Sequence, residues 1–524
     1  MRKSTHQTRP NILLILVDQM AYDCIHAAGH PAVVTPNLDE LAASGAVFSN
    51  AYCNSPLCAP ARACIASGLL VRHNGVFDNG AELSAALPTV MHHLRLAGYR
   101  TVGAGKFHFI GPDQLHGFEE RLTTDVFPSD FSWTPDWSRG PTPATGVSIR
   151  TVKDARVVRS NKYLDYDEEV VFRTLEWIRR LGRERENGRG SGGPDTAPPF
   201  FLNVSFTHPH PPFEALERYH ALYDGPLPEP RPAASEAAPN VYDRWMRILN
   251  RQDELAISRE EVLRARRCYY AMVSYVDELV GRIMGELDRM GLLDDTVVVF
   301  SSDHGEMLGE RGMWFKRMLY EPAVRVPLLV SWPGRVRGGI RIGSVVSQVD
   351  LTATLMELAG VPDLERWTGA IDGDSFLPLL TDRGRPDRDP DEAAAPSEPV
   401  RPVQREWKDE ALFEYYGKGT VEPLCGIRRG PFKYVVLGNT WSALFDLERD
   451  PGEETNLAGD PVYAEQEAQL REALLGGIDL DRLRTEILRS QQRRIRIREA
   501  MRSGKRIPWD HQPFFDASKR YVRS

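Results

Sequence analysis

Short runs of apolar and β-branched residues, each closed by turn-forming residues, recur along the chain at 11–17, 101–105, 201–206, 296–302 and 327–332. Runs this short, rich in β-branched residues and bounded by turns, predict buried strands. Between them the apolar spacing changes to three and four, as at 35–44, 88–97 and 167–181, which predicts helices with one buried stripe. The longest helix is expected from Ser258 to about Met290, because Ser-Arg-Glu-Glu supplies an N-cap with a glutamate three residues on and Gly291 follows the end. Strands alternating with helices imply an α/β fold, a large, mostly parallel sheet flanked by helices. Ligands then belong at the carboxyl ends of the strands.

Two stretches break the pattern: 183–199, rich in Gly, Arg and Glu, and 382–406, rich in Pro, Asp, Arg and Ala. Both read as exposed insertions without a packed core. The second separates a catalytic domain over 1–381 from a small domain over 407–480, where strand-like pieces at 411–415, 432–436 and 444–447 predict a smaller sheet. Residues 481–524 read as an Arg-rich helical segment and an extended tail. Trp509, Phe514, Phe515 and Tyr521 make that tail too apolar for a free, solvated terminus.

At 524 residues the chain exceeds one ordinary core. Its 65 basic and 73 acidic side chains give a net charge of −8, which argues against a nucleic-acid partner and requires any anionic substrate to be drawn in by a focused pocket. The six cysteines, Cys24, Cys53, Cys58, Cys64, Cys268 and Cys425, are too few and scattered for a disulfide framework. The apolar run NILLILV ends in Asp18 rather than in a small-residue cleavage site, and no apolar stretch approaches the ~20 residues of a membrane span. The chain is expected to be cytoplasmic, with no membrane partner.

The most informative residues are Cys58-Ala59-Pro60-Ala61-Arg62, followed by a helix-compatible run to Gly68. A proline early in a helix pre-sets its first turn, so Cys58 falls at an electropositive helix start. Arg62 lies on the same face one turn later and can steady charge at position 58. Alone, the pattern fits a buried cysteine before a proline-started helix better. It does not stand alone: NILLILV delivers Asp18 and Gln19 at its end, and TVVVFSS delivers Asp303 and His304. A single Asp at a strand end is commonly a helix cap, whereas two such pairs suit a divalent cation such as Ca²⁺, Mg²⁺ or Mn²⁺.

These motifs resemble the sulfatase family of the alkaline-phosphatase-like superfamily, and within it the choline-sulfatase branch. The resemblance spans nearly the whole chain. RPNILLILVDQM, TPNLDELAASGAVFSNAYCNSPLCAPAR, GKFHFIGPDQLHGFEERLTTD, WTPDW, SFTHPHPPF, SSDHGEMLGERGMWFK, RVPLLV, IRRGPFKYV and WDHQPFFDAS match in order. It implies that a formylglycine-generating enzyme converts Cys58 to formylglycine. It also implies one divalent metal, Ca²⁺ first and Mn²⁺ or Mg²⁺ otherwise, held by Asp18, Gln19, Asp303, His304 and the modified Cys58.

By the same resemblance Arg62, Lys106, His108, His210 and Lys316 are catalytic. Lys106 and His108 contact the nucleophile and sulfate, and His210 and Lys316 stand near the bridging and terminal oxygens. His208 is close enough to His210 to exchange roles with it, and Lys316 could instead pair with Glu310. Asn79 matches a sulfate-contacting position. Trp133, Glu414 and Asp516 match contacts to the rest of the substrate, Asp516 supplied by a neighbouring protomer of a homo-oligomer, a tetramer assembled through the tail. Two departures count against choline: Lys418 stands where the branch has Glu, and residues 141–150 lack its Trp-Tyr-His-Asn-like cluster. The reaction implied is hydrolysis of a small alkyl or aryl sulfate, choline-O-sulfate included. The alternative is hydrolysis of a phosphonate monoester or phosphodiester.

Overall fold

The run NILLILV forms strand β1 (Asn11–Val17), every residue of which is buried. Ile12, Leu14 and Leu16 belong to one apolar cluster and Leu13, Ile15 and Val17 to another. That division is the two-residue period of a strand whose sheet is covered on both faces. The computed structural model describes residues 9–144, 146–190, 197–232, 239–364, 366, 370–381, 407–503 and 509.

The strands that follow are β2 (Ala46–Tyr52), β3 (Arg100–Gly105), β4 (Glu120–Arg121), β5 (Arg156–Val158), β6 (Phe200–Ser205), β7 (Glu214–Leu216), β8 (Thr296–Ser302), β9 (Leu328–Ser331) and β10 (Ile340–Ser347). Eight of them form one sheet in the order β10-β2-β9-β8-β1-β6-β3-β4, and β5 pairs with β7 apart from it. Neighbours in the large sheet run parallel except at β9, which is antiparallel to both β2 and β8. The mostly parallel sheet expected from the sequence is therefore present. The pattern left out β2 and β10, because Ser49 and Asn50 interrupt the first and Arg341, Gly343 and Ser344 the second, at positions that are not buried.

Helices cover both faces. Helix Arg259–Arg289 begins as expected: the Ser258 side chain accepts from the Glu261 amide, and the Glu261 side chain reaches back to the Ser258 amide. Helix Lys162–Gly190 carries the helical pattern on into the segment read as an exposed insertion, where Arg183, Glu184, Glu186 and Asn187 are exposed. Its polar end is tied down by side chains: Glu184 pairs with Arg100 at 3.3 Å and with Arg180 one turn before it, and Arg185 donates to Asn11 Oδ1 at 3.1 Å. A helix end held by charge carries no apolar stripe to read.

The C-terminal part is an antiparallel meander of β11 (Glu410–Tyr415), β12 (Leu424–Arg429), β13 (Phe432–Leu437) and β14 (Trp441–Asp446). Leu470 and Leu474 of helix Ala464–Leu475 and Leu483 and Ile487 of helix Leu480–Arg502 pack with Cys425, Ile427, Tyr434 and Val436 of this sheet. The boundary expected at 382–406, and Phe514, Phe515, Asp516 and Tyr521 of the tail, lie outside the described residues. All six cysteines are free thiols and buried. No helix among the described residues is long and apolar enough to cross a membrane.

Candidate active site

The expected site residues leave the sheet at the carboxyl ends of four adjacent strands. Asp18 and Gln19 follow β1, Asp303 and His304 follow β8, Lys106 follows β3, and His208 and His210 follow β6. Loops leaving neighbouring parallel strands at one edge must meet there. Cys58 arrives from the side as the first residue of helix Cys58–Ser67. Leu57, which precedes it, has no capping side chain, and a distant one substitutes: Asn79 Oδ1 accepts from the Ala59 amide at 3.0 Å. Asp78, beside Asn79, is gripped through both oxygens by Arg494 of helix Leu480–Arg502, at 2.6 and 2.7 Å. The C-terminal helix thus bears on the start of the nucleophile helix.

One ligand atom each from Asp18, Cys58, Asp303 and His304 lies within 4.8 Å of the others, and all four residues are buried. Gln19 has a left-handed backbone, φ 69°, and its amide donates to Asp303 Oδ1 at 3.0 Å. Its side-chain nitrogen donates to Glu306, while its Oε1 is buried without a hydrogen-bond partner among the described residues. An orphaned buried acceptor costs on the order of 1–3 kcal/mol, a cost that a cation would remove. Oxygens outnumber nitrogen in this donor set, which fits a hard divalent ion.

Three cations face the same place. Lys316 Nζ donates to Cys58 Sγ at 2.9 Å, and Lys106 Nζ is paired with Asp18 and lies 4.6 Å from the centre of the Phe127 ring. Arg62 feels the charge at position 58, as its helical spacing suggested, but its hydrogen bonds go to other groups. Its Nε pairs with Asp303 Oδ2 at 2.8 Å and its Nη1 donates to Ser205 Oγ at 2.7 Å, which leaves Nη2 buried with no partner among the described residues. That nitrogen is a donor available to an anion. Burial pushes the Cys58 thiol up, but Lys106, Lys316, His304 and His108 outweigh it and hold the group well below its ordinary value.

His108 has a left-handed backbone, φ 58°, and its amide donates to Asp125 Oδ2 at 2.7 Å, an oxygen shared with the Phe107 amide at 2.8 Å. Burial lowers its pKa, with Cys58 pulling the other way. The two histidines after β6 are not interchangeable: His208 Nδ1 is held by Asp167 at 2.6 Å, whereas burial and then Lys316 push partly exposed His210 down to about 3. Lys316 does not pair with Glu310, which is taken by Arg231 and Arg266 at 3.4 and 3.3 Å. Trp133, 41% exposed, stands edge-on to His108 with ring centres 5.4 Å apart, and Phe127 fills the space between Trp133 and His210.

Sequence reasoning missed Asp125, Phe127 and Glu306. Each sits inside a recognised motif or just after one, but a lone carboxylate or ring has no spacing signature. Glu414 is a correction. It is 0% exposed and its carboxylate is paired with Arg72, through Nε at 2.9 Å and the amide at 3.0 Å, so it offers nothing to a substrate. Removing one partner of a buried pair strands the other charge, so Glu414→Ala is expected to destabilise the fold by about 3–5 kcal/mol. Urea unfolding will show this, and the Michaelis constant of the folded fraction should not change. Asp516 lies outside the described residues.

The sulfatase family model matches residues 10–361, and a second model, choline sulfatase enzyme C terminal, matches 485–524. The chain is 38% identical to the choline-sulfatase of Rhizobium meliloti (strain 1021), over 98% of this chain and 96% of that protein. It is 29% identical to arylsulfatase K of Gallus gallus, over 87% and 80%. Among solved structures, the phosphonate monoester hydrolase of Agrobacterium radiobacter superposes with a TM-score of 0.64 at 26% identity, covering 92% of this chain and 96% of that one. Strand ends that bring Asp18, Asp303 and His304 to Cys58, and a match over most of the length, lead to one assignment: the chain belongs to the sulfatase family of the alkaline-phosphatase-like superfamily.

Proposed function

We propose that this protein hydrolyses small alkyl or aryl sulfate esters to an alcohol and sulfate, with a formylglycine at position 58 and one divalent cation, Ca²⁺ foremost. The observation that carries the reading is the meeting of Cys58 with Arg62, Lys106 and Lys316 beside a buried oxygen-rich donor cluster. A sulfate ester is ringed by negative oxygens, so its charge must be met before a nucleophile can approach.

A cation held by Asp18, Gln19, Asp303 and His304 would supply part of that charge and ease loss of a proton from a hydroxyl at position 58. An aldehyde there, made by a formylglycine-generating enzyme, would supply as its hydrate both the attacking hydroxyl and a second hydroxyl whose proton loss frees sulfate. Cys58 Sγ stands where the attacking oxygen would be.

The remaining work falls to the chain. Lys106 and Lys316 hold charge beside position 58, and Arg62 Nη2 is the buried donor for a sulfate oxygen. His210 Nδ1 is committed to the Pro211 carbonyl at 2.6 Å, so it must carry the proton, and Nε2 is an acceptor. Lys316 is therefore the charged donor for the departing alcohol oxygen. His108, neutral through burial, is the base for the second hydroxyl.

The test compares kcat/KM for 4-nitrophenyl sulfate with that for the matched phenyl 4-nitrophenylphosphonate. The sulfate should lead by about tenfold or more. The reverse order would move the protein to the phosphonate reading, which the likeness to a phosphonate monoester hydrolase keeps in play.

A further inference from the structure

Beside the nucleophile stands a second group of cations that the reaction as derived does not use: Lys418, Arg317 and Arg139, from three separate segments. The loop carrying Lys418 leans on the residue before Cys58, since a Cβ added at Gly417 would meet Leu57 Cδ2 at 2.9 Å. Two further bonds fix it there. Gly417 O accepts from Trp137 Nε1 at 2.9 Å, two residues before Arg139, and Lys418 O accepts from the Tyr415 hydroxyl at 2.5 Å. Arg317 directly follows Lys316, and its amide donates to Pro56 O at 3.1 Å, two residues before Cys58. Its backbone is left-handed at φ 79°, a conformation that a long side chain adopts only when its surroundings impose it.

Among the described residues, neutral groups meet Lys418 and Arg317. Lys418 Nζ donates to Pro143 O and Arg317 Nη1 to Asn250 Oδ1, both at 3.2 Å, and among the described residues none of the three is paired with a carboxylate. Elsewhere the chain pairs its arginines freely, as Arg100 with Glu120 and Glu184 or Arg180 with Glu120. Lys418 and Arg317 are half-buried and Arg139 is exposed, so the group opens to solvent next to the site while water screens it incompletely. Burial, and after it Arg317 and Arg139, hold the Lys418 ammonium below its usual range. In a protein of net charge −8, three cations gathered beside position 58 without a carboxylate among the described residues have the chemistry to receive an anion.

We propose that Lys418, Arg317 and Arg139 form a subsite for an anionic substituent on the alcohol part of the substrate, so that the enzyme prefers a sulfate ester carrying a second oxyanion. The subsite rests on the sulfatase reading above. Carboxylate, sulfate and phosphate share the required chemistry, an oxyanion met by a guanidinium fork and an ammonium. A quaternary ammonium placed there would be repelled.

The test uses the full-length enzyme and phenyl sulfates whose para substituent is carried on a methylene, so that the leaving phenols stay alike: carboxymethyl, phosphonomethyl, hydroxymethyl and trimethylammoniomethyl. The carboxymethyl and phosphonomethyl esters should exceed the trimethylammoniomethyl ester in kcat/KM by about tenfold, mainly through KM, and their mutual ratio tells which oxyanion fits better. Lys418→Glu should invert the order of anionic and cationic esters. Arg139→Glu, at an exposed position, should shrink the preference and serves if Lys418→Glu does not fold. A wild-type enzyme that favours the cationic ester or treats all alike, or variants that leave the ratio unchanged, would overturn the subsite. If even the hydroxymethyl ester is not hydrolysed, the sulfatase reading fails first and takes the subsite with it.

Discussion

Cys58→Ala is expected to lower sulfate-ester turnover by about 10⁴-fold or more, because no other side chain at the site can form and then release a bond to sulfur. The fold should survive. The helix start is held through Ala59 by Asn79, not through the Cys58 side chain, and a thiol-to-methyl change removes one heavy atom from a buried position. The melting temperature should therefore move by only a few degrees. The loss of Cys58 leaves Lys316 and His304 without their sulfur contact, yet Asp18 lies 3.9 Å from the first and 3.5 Å from the second, so neither charge is stranded. A variant that turns over at close to the wild-type rate would show that the nucleophile is elsewhere. Peptide mass spectrometry across position 58 of the wild-type protein gives an independent reading of the conversion to aldehyde.

Asp303→Ala should cost metal, rate and stability together. The Asp303 carboxylate accepts from Arg62 at 2.8 Å, from the His304 amide at 2.9 Å and from the Gln19 amide at 3.0 Å, and one of its oxygens is in the donor cluster. Its removal would take one anionic ligand from the cation, and it takes the carboxylate that pairs with buried Arg62. We expect the bound metal to fall to about a tenth or less and kcat/KM to fall by about 10³-fold. The stranded guanidinium should destabilise the fold by about 3–5 kcal/mol. Asp303→Asn keeps the shape and loses the charge, so it separates metal loss from collapse of the loop. Full metal occupancy by elemental analysis in folded Asp303→Ala would place the cation somewhere else.

The residues of this site were legible from the chain to different depths. A strand buried on both faces is mostly apolar, so β1 and β8 announce themselves, and the polar pairs that follow their last residues stand out against those runs. The capping box at Ser258 is likewise local chemistry, complete within a few residues. The opposite holds for β2, β10 and β12, where exposed or small positions break the pattern, and for the last turns of helix Lys162–Gly190, whose anchor is charge from another strand.

What the sequence by itself determined is the sheet, the polar pairs that leave it, and the nucleophile's place at a helix start, because spacing and side-chain type dictate these without reference to distant residues. Only the tertiary structure decided which charges are spent and which are free. Glu414 and Arg72 are 342 positions apart and close on each other; Asp167 takes His208 and leaves His210 to the site; Asp303 takes Arg62; and Lys418 meets no carboxylate among the described residues. An ionisable side chain looks the same in sequence whether it is neutralised in the core or waiting for a ligand. The difference lies in the dielectric around it and in the partner brought within hydrogen-bond reach, and both are properties of the folded chain alone.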